Sequence, residues 1–282
     1  MEEQRRKEIA NLNRSPAWQK IMSFYTWLKP GIWAMRLPIV GQILQKTWIK
    51  EGSDANWFIP INQSISVGTQ MILPRAVVEH LLSEADSIFS MSACPCRTAF
   101  KCISHPWNIG CLHLGPATRG IPEELGRLLS LDEGLDHLQR ALDSGLVPTI
   151  LYIPSEAEIF RVDKRRMLSI CFCCECCCDV RLLLREGPNR YWDIYNHRMP
   201  EVEVIIGSEC TGCGECVSAC YGGDRVITIN TDRAEIHERC IGCGLCIPAC
   251  PEGAISLSID PSLDIMKELV AKISGHTNIG MG

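Results

Sequence analysis

Two near-identical cysteine runs thirty residues apart constrain this chain more than any other feature: Cys210-x2-Cys213-x2-Cys216-x3-Cys220 and Cys240-x2-Cys243-x2-Cys246-x3-Cys250-Pro251. Three thiolates spaced by two residues can wrap one iron–sulfur cube within a tight loop. The fourth cysteine of each run starts a helix that points away and so serves the other cube. The spacing assigns Cys210, Cys213, Cys216 and Cys250 to one [4Fe–4S] cluster, and Cys240, Cys243, Cys246 and Cys220 to a second. A zinc site and a disulfide framework are the alternatives. Three cysteines within seven residues, twice, suit a cube better than a single ion. Gly212, Gly214, Gly242 and Gly244 let the backbone curl around a bulky core and aim N–H groups at its sulfurs.

With both runs in order, residues 203–259 resemble a bacterial two-[4Fe–4S] ferredoxin, over about a fifth of the chain. The resemblance implies an electron-carrying module with these eight cysteines as ligands. One departure stands out: Cys220 is followed by Tyr221-Gly222-Gly223-Asp224 where the family often has proline, as at Pro251. That changes the packing beside one cluster without removing a ligand. Val202–Ile206, Val226–Ile229, Ala234–His237 and Ala254–Ile259 read as short strands flanking the cluster loops.

At 282 residues the chain has room for two domains and a sizeable core. Its eighteen cysteines are clustered, and cluster thiolates require a reducing compartment, so the expectation is cytoplasmic. The N-terminus lacks the apolar run and cleavage site of a secretory signal. No stretch approaches the roughly eighteen apolar residues of a spanning helix. The net charge of −5 hides an asymmetry: residues 201–260 carry ten Asp or Glu against three Arg, and residues 1–50 carry nine Lys or Arg against three Glu. An acidic module of this kind steers towards a basic patch on a redox partner, or serves only solubility. No nucleic-acid motif accompanies the basic segment.

That basic segment holds Trp18, Trp27, Trp33 and Trp48 among Phe24, Tyr25, Ile32, Leu37, Ile39, Val40, Ile43 and Leu44. Aromatics punctuated by Lys20, Lys29, Arg36 and Lys46 suit a peripheral membrane contact through residues 1–50, at the inner face of the membrane. They equally suit packing against a partner subunit or the chain's own core. Pro30 and Pro38 are expected to break the segment into short pieces.

The middle of the chain holds the other ten cysteines. Val77, Val78, Leu81, Leu82, Ala85, Ile88 and Phe89 recur at helical spacing after Pro74. Cys94-Pro95-Cys96-Arg97, Cys102 and Cys111 follow. Ser130-Leu-Asp-Glu133 is a capping box opening a second helix, Gly145 ends it, and Leu146–Ile153 reads as a strand. Then six cysteines fall within eight residues, Cys171 to Cys178. Every third position makes a cube-wrapping triplet, Cys171, Cys174 and Cys177, with Cys173 and Cys176 facing elsewhere. Adjacent cysteines do not easily converge on one small site, so this stretch serves two sites or keeps spare thiols. Cys94, Cys96, Cys102, Cys111, Cys171, Cys174 and Cys177 are therefore candidate ligands of one or two further clusters, with the two groups separate or mixing ligands. Zinc or redox-active free thiols are the alternatives. The Cys94–Arg97 segment, Gly145-Leu146-Val147 and the Cys171–Cys178 run resemble the Cys-rich N-terminal halves of some 4Fe–4S dicluster-domain proteins from anaerobes, which implies redox work.

The expected fold class is α+β, a Cys-rich helical and mixed region followed by a small ferredoxin-like dicluster domain. The divisions are a basic aromatic segment (1–60), a Cys-rich domain (61–200), the dicluster domain (201–260) and a C-terminal helix or tail (261–282). No Gly-rich phosphate loop is present, and no cysteine sits in a convincing nucleophile setting, so no catalytic residue is assigned. The expectation is a non-catalytic electron-transfer protein or subunit, relaying single electrons between a donor and an oxidoreductase complex. The alternatives are an oxidoreductase with a special cluster or catalytic metal in the middle domain, and a membrane-surface adaptor.

Overall fold

Alternation of period two along the middle of the chain builds its largest element. In the computed structural model, which describes residues 2–49, 55–58, 65–67, 70–72, 74–197, 202–259 and 264–280, seven strands share one sheet. Their spatial order is Gly126–Leu129, Ile88–Met91, Leu112–Leu114, Leu168–Cys173, Val147–Tyr152, Ala55–Phe58 and Asn196–His197. All neighbours run antiparallel except the last pair. Along Leu168–Cys173, Leu168, Ile170 and Phe172 enter one core with Leu112, Leu114 and Ile150. Cys171 and Cys173 alternate with them and join the cores on the other face.

Helices Pro74–Glu84 and Leu131–Asp143 cover the first face with Val77, Val78, Leu81, Leu82, Leu138 and Ala141. The second helix begins at the expected capping box: Glu133 N–H donates to Ser130 Oγ at 3.2 Å, and Ser130 N–H donates to the Glu133 carboxylate at 2.9 Å. The first helix ends sooner than its apolar pattern predicts. Ile88 and Phe89 instead pair with Leu114 and His113 in the sheet, which sends the two side chains into opposite cores. A helix, turning only about 100° per residue, could not separate them so fully. The C-terminal helix Ile265–Ser274 packs on the first face through Leu269 and Ile273.

On the opposite face, helix Pro16–Ala34 buries Ala17, Trp18 and Ile21 against Phe89, Met91, Phe160 and Met167. Self-packing therefore accounts for one side of the aromatic segment. The helix also runs straight through Pro30, contrary to the break expected there. Pro30 forfeits one backbone bond near the helix end, and the buried Leu28 and Ile32 hold the last turn in place. The break falls near Pro38, before helix Val40–Trp48. Outward from these two helices, Trp27, Trp33, Ile39 and Ile43 are exposed. Among the described residues, no helix is long and apolar enough to cross a membrane.

The C-terminal region is built from two antiparallel pairs, Val202–Ile206 with Ile255–Ile259 and Ile227–Asn230 with Arg233–Ile236. They lie within a residue or so of the four strands expected. This region meets the sheet through a shared core in which Val147, Leu151, Cys173 and Cys178 join Tyr221, Val226 and Ile241. The boundaries expected at 60/61, 200/201 and 260/261 fall outside the described residues.

Candidate metal centres

Each cysteine run coils around its own cavity and lends its last cysteine to the other. Cys210, Cys213 and Cys216 line the first cavity together with Cys250, closed by Ile229, Ala234 and Ile255. Cys240, Cys243 and Cys246 line the second together with Cys220, closed by Trp192, Val204, Val226 and Ile227. The loops reach this shape because Gly212 and Gly242 both take φ of 69°, in the left-handed region. A Cβ on Gly212 would stand 2.7 Å from the Asp232 backbone, so the turn admits no side chain. Backbone N–H groups turn towards the sulfurs: Ala234 N lies 3.3 Å from Cys210 Sγ. That bond, with a second from Gly212, lowers the Cys210 pKa. In the deeper second cavity, burial pushes Cys246 up to about 12 and Cys243 well above its ordinary value. Four sulfur donors per apolar cavity, with amides aimed at sulfur, fit a [4Fe–4S] cluster at each.

The other ten cysteines fall into two neighbouring groups at the end of the strand Leu168–Cys173, with Cys174 common to both. Six gather in one buried cavity beside Leu151 and Ile109, namely Cys94, Cys96, Cys111, Cys171, Cys173 and Cys178, and Cys174, which also belongs to the second group, reaches its wall. Within it, Cys111 Sγ lies 3.2 Å from Cys171 Sγ, and Cys173 Sγ lies 3.2 Å from Cys178 Sγ. Cys94 caps the short helix Pro95–Ala99, so its sulfur and that of Cys96 flank the first turn. A hydrogen bond from the Cys96 thiol lowers the Cys94 pKa against the effect of burial, and Arg97 reinforces it. Cys96 is correspondingly pushed up. The second group is Cys102, Cys174, Cys176 and Cys177.

Of the triplet Cys171, Cys174 and Cys177, the first two line one cavity and Cys177 lies with the second group. The strand continues through Cys173, so Cys171 shares a face with Cys173; Cys174 stands at the boundary, and the turn that follows carries Cys176 and Cys177 away from the cavity. A three-residue period holds in a loop, whereas here the two-residue period of the strand governs the first half of the run. Cys94, Cys96 and Cys111 fall in the six-thiol group, while Cys102 joins the other, so the two sequence groups mix.

Three groups beside these cavities escape the sequence reading, and the first two carry no local signal. Tyr25, from helix Pro16–Ala34, places its hydroxyl 3.2 Å from Cys96 Sγ and donates to the Asp179 carboxylate at 3.2 Å. Asp179 also accepts from Cys96 at 3.4 Å, and burial raises its pKa. Tyr221, only 1% exposed, is wedged between the second ferredoxin cavity and the six-thiol cavity, close to Cys173, Cys178 and Cys243. The departure from proline after Cys220 is what could have pointed to it.

Arg97 holds the six-thiol cavity in shape. Its buried guanidinium donates to the carbonyls of Pro106 at 2.8 Å, Phe172 at 2.6 Å and Ile109. Those carbonyls lie in the segments that carry Cys111, Cys171 and Cys173.

Residues 200–256 match a family described as the 4Fe-4S dicluster domain. No curated protein and no solved structure matches the chain. The C-terminal module is thus an iron–sulfur module of ferredoxin type, in a chain of mixed helices and antiparallel sheets.

Proposed function

We propose that this chain is an iron–sulfur electron-transfer protein or subunit, relaying single electrons between a redox donor and a catalytic oxidoreductase partner. The observation that carries the reading is the row of three cysteine-lined cavities. The two four-thiol cavities exchange ligands through Cys220 and Cys250, and Tyr221 joins the second to the six-thiol cavity. Clusters bound in such cavities supply one-electron carriers, and their potentials follow burial and hydrogen bonding to sulfur. The chain's own residues do the rest. Cys243 and Cys246 are buried while Cys213 is exposed, so the first ferredoxin cavity opens to a docking partner and the second is shielded. Ile241, Val226 and Trp192 keep water from the shielded end. The acidic surface of residues 201–260 steers a basic partner to the exposed end.

The six-thiol cavity, in this reading, holds a third cluster with four of its sulfurs as ligands. Free thiols in this number belong to a reducing compartment, so the chain is assigned to the cytoplasm. The exposed Trp27, Trp33, Ile39 and Ile43 are assigned to contact with a partner subunit or the membrane surface. A second reading draws on Tyr25 and Asp179, which offer proton-exchanging groups at Cys96 that a relay does not need. It makes the six-thiol cavity the site of substrate reduction.

The test is iron and acid-labile sulfide per chain on protein purified without oxygen, with EPR of the reduced form. The relay reading expects about twelve of each, from three cubes. About eight would leave the six-thiol cavity without a cluster and remove the third member of the row. A spectrum unlike a four-thiolate cube, altered by Asp179→Asn, would favour the second reading.

A further inference from the structure

We propose that Cys102, Cys174, Cys176 and Cys177 form a separate metal site that holds a single tetrahedral zinc ion rather than an iron–sulfur cube. All four sulfurs lie within 4.8 Å of one another. Cys102 Sγ stands 3.5 Å from Cys176 Sγ, which in turn stands 3.7 Å from Cys174 Sγ. An ion bonded to four thiolates at about 2.3 Å sets the sulfurs about 3.8 Å apart, the edge of a tetrahedron of that radius. Thiolates on a cube each cap a different iron, and the inorganic core keeps them further apart. The same chain supplies the comparison. Among the described residues, no three of the eight ferredoxin cysteines bring their sulfurs within that 4.8 Å span.

The local structure holds this spacing. Glu175–Cys177 is a turn directly after the strand Leu168–Cys173, and helix Asp179–Glu186 then leads the chain away. Cys102 arrives from the opposite side, its N–H bonded to the Arg97 carbonyl at 2.9 Å. His105 braces the two segments: its Nε2 lies 2.9 Å from the Glu175 carboxylate and its Nδ1 lies 3.0 Å from the Ser144 carbonyl. The sulfur donors are thus approached by two chain segments already fixed to each other, so hydrogen bonds outside the ligand set hold the ligands in place.

The choice of metal follows from donor set and place. Four thiolates at tetrahedral spacing select zinc or a single iron. Cys102, Cys176 and Cys177 lie outside the six-thiol cavity, Cys174 stands at its wall, and Cys176 is exposed. A redox-inert ion that pins the 102–105 loop to the 174–177 turn suits that position.

The experiment measures zinc, iron and sulfide per chain in the full-length protein, the Cys176→Ser variant and the Cys102→Ser variant, all purified without oxygen. Zinc K-edge X-ray absorption on the unaltered chain accompanies it. The expected result is about one zinc per chain with four sulfur neighbours at about 2.3 Å, lost in both variants while iron and sulfide stay constant. The absorption spectrum decides the point even where a variant fails to fold. Absence of zinc, or nitrogen and oxygen neighbours around it, would overturn the proposal. So would a folded Cys176→Ser variant that keeps its zinc, that loses about four irons with their sulfide, or that loses one iron without sulfide.

Discussion

Replacing Arg97 by methionine removes a buried cation that ties the 106–109 loop to the strand Leu168–Cys173. The side chain is 1% exposed, and its guanidinium serves the carbonyls of Pro106, Phe172 and Ile109. Methionine fills much of the same volume, so the loss falls on the hydrogen bonds. A buried acceptor left without its donor costs about 1–3 kcal/mol, which for three carbonyls sums to about 3–9 kcal/mol. Loops that relax and admit water recover part of this. The loss expected here is therefore towards the lower end of that sum, about 3–5 kcal/mol. It is a large share of a domain stability of about 5–15 kcal/mol. Urea unfolding of the metal-loaded chain, followed by far-UV circular dichroism without oxygen, reads the change as a lower midpoint. Arg97→Lys should recover less than half of it, because one ammonium cannot reach three divergent carbonyls. Since those carbonyls lie beside Cys111, Cys171 and Cys173, iron content should fall as well. A methionine variant within about 1 kcal/mol of the parent, with unchanged iron and sulfide, would refute the reasoning.

Cys250→Ser should disturb the cavity of Cys210, Cys213 and Cys216 rather than that of its own run, and Cys220→Ser should do the converse. EPR of each variant, with one ferredoxin signal altered and the other intact, checks the exchange. Tyr221→Ala should cost about 3–5 kcal/mol through the cavity it opens, whereas Tyr221→Phe should cost far less, both read by urea unfolding. His137 is held neutral, its pKa lowered to about 4 by burial, with Nε2 donating to the Gly110 carbonyl at 2.9 Å. Below about pH 6.5 the unfolded chain binds a proton that the folded chain refuses. Stability should therefore fall by up to about 3 kcal/mol as pH drops from 6.5 towards 4, with no contribution above that window. In His137→Gln this part of the slope should vanish, and an unchanged pH profile of unfolding would count against it.

The ferredoxin-type module was legible because the spacing of its cysteines is covalent. Three cysteines two residues apart leave the loop little choice, and the glycines beside them supply the backbone angles it needs. The helix after Ser130 was legible for a similar reason, since a capping box is complete within four residues. Partners distant in sequence decided what was not legible. Ile88 and Phe89 continue a helical pattern in sequence, but pairing with Leu112–Leu114 makes them a strand. The cysteines from 171 to 178 fit a three-residue period and a two-residue period about equally well. The pairing of Thr149 with Cys171 and Val147 with Cys173 settles which applies. Tyr25 reaches Cys96 across 71 residues, and no local pattern announces that.

The division of the Cys171–Cys178 run between two faces has a consequence for the order in which the chain matures. A one-residue slip of the strand Leu168–Cys173 would turn every side chain to the wrong face. In most strands such a slip exposes apolar residues and corrects itself. Here it would present a different set of thiols to each side, and a captured metal ion or a stray disulfide would lock the error in place. If the proposed sites bind metal, the strand is expected to pair with Val147–Tyr152 and Leu112–Leu114 before loading, so that folding precedes metal capture in this part of the chain.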